Sequence, residues 1–72
     1  MKPLFETADI STRPKRRRAV SIIVATLGQI QRAEAAYLER MPDNLQDSDA
    51  HAAAEESIDM LTEAIGFLIE AY

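Results

Sequence analysis

The sequence predicts an all-α protein: an antiparallel helical hairpin of two long helices with an extended N-terminal arm, which dimerises into a four-helix bundle. Three observations predict it. Apolar residues recur at steps of three and four through two long stretches, a proline-bearing link separates those stretches, and the second stretch carries two adjacent apolar rows. Two rows make a face wider than one neighbouring helix can cover, so a second hairpin is needed to cover the remainder.

Residues 1–13 carry Pro3 and a Ser11-Thr12 pair with little periodicity, and they read as a flexible, extended arm. The hairpin then spans 14–72, with a first helix over 14–41, a link over 42–47 and a second helix over 48–72. Pro14 suits a first helical turn, where its missing N–H would have no partner, and Ser11 or Thr12 can cap the free donors. Val20, Ile23, Leu27, Ile30, Glu34, Tyr37 and Met41 follow helical steps, and Val24 and Leu38 widen the stripe. Ser21, Ala25, Gly28 and Arg32 form a flanking face on which small side chains allow close helix approach. Pro42 stops the helix because it cannot donate and because it disfavours helical geometry in the residue before it.

In the link, Leu45 is the one apolar residue and is expected to plug the end of the core. Asp47, Ser48 or Asp49 can cap the second helix, whose early acids suit the positive end of the helix dipole. Its first row is Ala54, Ile58, Leu61, Ile65, Leu68 and Tyr72, and its second is Ser57, Met60, Ala64, Phe67 and Ala71. A link this short makes the helices antiparallel neighbours. The surface expected to be shared between copies comprises Val20, Ile23, Leu27, Ile30, Met60, Leu61, Ala64, Phe67 and Leu68.

Composition explains why copies should associate. A core built from 72 residues contributes only about 3–5 kcal/mol, and small proteins usually supplement it. The chain has no cysteine, which removes disulfides and thiolate zinc sites, and its single histidine makes a metal a poor candidate. Oligomerisation is left. Pro3, Glu6 and Asp9 interrupt the start, which argues against a secretory signal, and no apolar run has the length of a spanning helix, so a cytoplasmic location without membrane contact is expected.

The net charge of -4 hides a division. Residues 1–18 hold six cations against two acids, whereas 19–72 hold two cations against ten acids. Arg13, Lys15, Arg16, Arg17 and Arg18 are therefore candidate contacts for phosphates or for an acidic protein groove. They also read as a solvated arm, or one folded back on the acidic surface of its own oligomer. No recognition-helix turn or aromatic platform accompanies them, and the acidic body would repel a duplex.

Catalytic chemistry finds little support. His51, Glu55 and Asp59 share a helical face, but no Glu-x-x-His pair is present, and His51 reads as a solvated residue near the start of the second helix. Glu55 and Glu56 point about 100° apart and cannot share a proton target within one chain. Gly28 and Gly66 form no phosphate loop. No catalytic, cofactor or metal residue is assigned, and the chain is read as a non-enzyme.

The stretch Tyr37-Leu38-Glu39-Arg40-Met41-Pro42-Asp43-Asn44-Leu45-Gln46-Asp47-Ser48, followed by Ala54-Glu55-Glu56-Ser57-Ile58-Asp59-Met60-Leu61, resembles a group of small uncharacterised helical proteins of bacterial genomes and prophages. Their hallmark is a Met-Pro-x-Asn-Leu-Gln-x-Ser link between two helices. The likeness covers residues 34–65 and implies the same hairpin, with no catalytic residue to carry over. The first helix is more apolar than the Glu/Lys-rich pattern of that group, which strengthens the case for association. The expected function is a protein-interaction module, phage or mobile-element encoded, that pairs with itself and engages a larger host or phage protein. The alternative is a nucleic-acid-associated protein that clamps phosphates with residues 13–18.

Overall fold

A computed structural model describes residues 9–72, and residues 1–8, which hold most of the expected arm, lie outside the described residues. The chain order is α1 (Arg13–Glu39), a 3₁₀ turn (Asp43–Leu45) and α2 (Asp49–Ala71), and the two long helices pack on each other as a hairpin. Among the described residues there is no strand, and no helix is long and apolar enough to cross a membrane.

Each helix end has a physical cause. Thr12, in extended geometry, caps α1: its Oγ1 accepts from the Lys15 N–H at 3.4 Å, so helix starts at Arg13 with Pro14 in the first turn. At the other end the Arg40 N–H still donates to the Ala36 carbonyl at 3.2 Å, and Pro42 then ends the ladder. The link turns back without left-handed residues, and no residue described has a positive φ. Instead the Leu45 N–H donates to the Pro42 carbonyl at 2.9 Å and the Ser48 N–H to the Leu45 carbonyl at 3.0 Å. Ser48 caps α2, its Oγ accepting from the His51 N–H at 3.2 Å, and Asp49 supplies a negative charge at the positive end of the dipole.

The seam between the helices takes Val20, Ile23, Leu27 and Leu38 from α1 and Ile58, Leu61, Ile65 and Leu68 from α2, all only half-buried. Among the described residues two apolar ones, Met41 and Ala54, are buried, at 9% and 4% exposure. They close the linked end of the hairpin. Leu45 does not plug that end as its lone apolar character in the link suggested: it lies in the 3₁₀ turn and is 45% exposed, whereas Met41 and Ala54 are buried. Ile30 and Tyr37, although on the apolar stripe, are exposed, and Gln31 faces α2 in their place, donating to Thr62.

Gly28 has no packing reason within one chain. A Cβ built there would meet only the Arg32 guanidinium, at the ordinary contact distance of 3.8 Å. Gly28→Ala should therefore stabilise the hairpin by up to about 1 kcal/mol through helix propensity alone. Thermal denaturation followed by circular dichroism should show a rise of roughly 4–8 °C. A fall would mean that a partner helix uses the space.

Candidate interaction surfaces

Helical geometry places Ile22, Ile30, Tyr37, Met60 and Phe67 on one side of the hairpin and Ile69 and Tyr72 on the other. Gln31 and Thr62 bond across one flank, and Arg17, Ser21, Ile69 and Tyr72 line a cleft on that same flank. On the opposite flank α1 presents the row Ile22, Thr26, Ile30, Ala33 and Tyr37, and α2 presents Ser57, Met60, Ala64, Phe67 and Ala71. Every one of these ten residues is exposed. Phe67 stands at 69%, Met60 at 61%, Ile30 at 47%, Tyr37 at 44% and Ile22 at 43%. Neither row contains a charged residue, although Thr26 and Ser57 are polar and the half-buried Glu34, one turn from both Ile30 and Tyr37, stands between the α1 row and α2.

The nine residues expected between copies divide between two environments. Val20, Ile23, Leu27, Leu61 and Leu68 sit half-buried in the seam within the chain, while Ile30, Met60, Ala64 and Phe67 lie on the open face. Ile22 and Tyr37 complete that face. Their row, Ile22-Thr26-Ile30-Ala33-Tyr37, has helical spacing of its own, but it runs beside the stronger stripe of Val20, Ile23 and Leu27.

The second feature is the basic end. All of Arg13, Lys15, Arg16, Arg17 and Arg18 are exposed in the first turns of α1. Placed at the positive end of their own helix dipole they are unfavourable, yet the antiparallel fold sets them beside the last turn of α2, where cations are favoured. The Arg13 guanidinium lies 4.8 Å from the centre of the Tyr72 ring, a cation–π contact that pins the two helix ends together. A hollow of about 300 Å³ lined by Asp9, Lys15, Arg18, Ala19 and Ile22 joins the basic end to the open face.

Residues 9–12 are tied to this end by side-chain contacts. Asp9 Oδ2 accepts from Lys15 Nζ at 2.6 Å, and its Oδ1 accepts from the Ser11 hydroxyl at 2.7 Å and the Ser11 N–H at 3.0 Å. Arg16 donates to the Ile10 carbonyl at 3.0 Å. The Lys15 ammonium, helped by Ser11, lowers the Asp9 carboxyl from the usual 3.8 to about 2. Because the folded value is the lower one, the anchoring is fully present above 3.8 and is lost as pH falls through about 2. A carbon-detected NMR titration should place the Asp9 midpoint near 2, and Lys15→Ala should return it toward 3.8. An unshifted midpoint in the native chain would show that the anchor does not form.

His51 is not the freely solvated residue its position suggested. Its ring is 20% exposed, and Nδ1 lies 2.7 Å from Glu55 Oε1, one helical turn on. The hairpin's linked end shelters the ring, and the carboxylate holds it in place. Among the described residues no group of three or more His, Cys, Asp or Glu side chains converges as a metal site would require.

Glu55, Glu56, Asp59, Glu63 and Glu70 are all exposed on α2. The molecule therefore offers an apolar face, a basic end and an acidic outer surface. No protein-family model, curated protein or solved structure matches the chain.

Proposed function

We propose that the chain is a non-catalytic protein-interaction module, two copies of which close on each other over the open face. The paired module then presents its acidic outer surface to a larger protein with a basic site. The observation that carries this reading is the set of large apolar side chains Ile22, Ile30, Tyr37, Met60 and Phe67, exposed together on one side of a hairpin in which Met41 and Ala54 are the buried apolar residues among those described. Contiguous exposed apolar surface of this kind marks an interface. Complete burial of such a side chain contributes about 1.5–3 kcal/mol, against a single-chain core that offers only about 3–5 kcal/mol in all. The resemblance of the link to prophage-borne hairpins supports a phage or mobile-element setting and a host or phage protein as the larger partner.

Equilibrium sedimentation tests the reading. Its expected result is twice the chain mass of 8.0 kDa at high micromolar concentration, dissociating on dilution. A compact, helical single chain throughout that range would overturn it.

A specific observation also favours a second reading, contact with nucleic acid: five exposed cations at one end with no acid among residues 13–18. Three of them already have partners within the chain, Arg13 on Tyr72, Lys15 on Asp9 and Arg16 on the Ile10 carbonyl, and this weakens the case. Duplex binding measured at two salt concentrations decides it. A phosphate clamp requires the triple variant R16A/R17A/R18A to bind more weakly and with a shallower salt slope; equal binding removes the reading.

A further inference from the structure

We infer that the occupant of the open face is a second copy lying head to tail, related by a two-fold axis that crosses the hairpin at Ile30. In that arrangement α1 of each copy lies against α1 of the other, and α2 against α2. The inference rests on the reading that this face docks a protein, and it adds the identity and direction of the occupant.

Charge sets the direction. Residues 13–18, at the open end of the hairpin, hold five cations and no acid, while residues 39–56, around the linked end, hold six carboxylates against Arg40. A head-to-tail pair brings the basic end of each copy beside the acidic end of the other. With the two-fold axis along the hairpin instead, the two basic ends would sit together and so would the two acidic ends, and like charges would face each other at both.

Shape agrees with charge. The Gln31–Thr62 bond fixes the level of α2 on α1, which puts Phe67 beside Thr26 and Met60 beside Ala33. The bulky side chains are then spread almost evenly about Ile30: Ile22 lies two turns before it and Tyr37 two turns after, with Phe67 one turn before and Met60 one turn after. Reversal about Ile30 places Ile22 against Tyr37 of the second copy and Phe67 against its Met60. Thr26, Ala33, Ser57 and Ala64 lie between them and leave room for helices to approach at about 8–10 Å.

The absence of cysteine makes the test clean. Ile30→Cys, at the axis, should oxidise to a disulfide-linked dimer. A mixture of Ile22→Cys and Tyr37→Cys chains should cross-link through a short thiol-to-thiol reagent at least ten-fold more than a mixture of Ile22→Cys and Ala71→Cys, the pair that the other axis would juxtapose. Sedimentation of the unmodified chain accompanies both. Dimeric mass with the Ile22/Ala71 pair dominant, or with neither pair linking, overturns the head-to-tail arrangement while leaving a docking face in place. Monomeric mass without cross-links overturns the docking face as well.

Discussion

Phe67→Glu should convert the associated protein into single hairpins. The ring is 69% exposed on its own hairpin, so a carboxylate there costs the isolated chain almost nothing. In the pair it would be desolvated against apolar surface, and two-fold symmetry introduces it twice. Loss of a central aromatic anchor costs about 2 kcal/mol or more per site, so dissociation should become easier by at least about 100-fold. Sedimentation should show the single-chain mass, and the melting temperature should cease to depend on protein concentration. Ile69→Glu is the matched control: Ile69 is 63% exposed but lies on the opposite flank, and its substitution should leave the mass unchanged. Equal dissociation by both variants would mean that the two flanks are not distinct.

Met41→Ala attacks the hairpin itself. Met41 is 9% exposed at the linked end, and the Ser48 hydroxyl lies 4.0 Å from its sulfur. Truncating a buried methionine costs about 2–5 kcal/mol, most of what so small a core supplies. Loss of more than about 10 °C in melting temperature, or of the fold, is expected by circular dichroism, whereas Met41→Leu keeps the volume and should cost less than about 1.5 kcal/mol. A mild effect of Met41→Ala would place the stabilising contacts elsewhere in the seam.

The helices and their caps were legible because both depend on local chemistry. Thr12 and Ser48 each stand three residues before the N–H they accept, and Pro42 ends α1 wherever the rest of the chain goes. The two apolar rows of α2 were legible for the same reason, and the fold separates them: Ile58, Leu61, Ile65 and Leu68 turn into the seam, while Met60, Ala64 and Phe67 stay outside. Less legible was which stripe of α1 meets α2. Spacing alone favours Ile30, yet Gln31 takes the inward position, because its amide reaches Thr62 and its neighbours Leu27 and Leu38 set the rotation of the helix. Leu45 was misplaced since a 3₁₀ turn leaves no periodic trace in three residues. The basic run looked unfavourable on its own helix, and only the antiparallel fold, which brings α2's last turn alongside, supplies a compensating negative end.

Solvent accessibility of the open face tests the central claim most directly. With a soluble paramagnetic agent added at high protein concentration, the side-chain signals of Ile22, Ile30, Met60 and Phe67 should be protected, while those of Ile69 on the other flank should broaden strongly. Dilution or Phe67→Glu should remove the protection. Broadening of Met60 and Ile30 to the same degree as Ile69 in the concentrated native protein would show that the face stays wet, and the account would be contradicted.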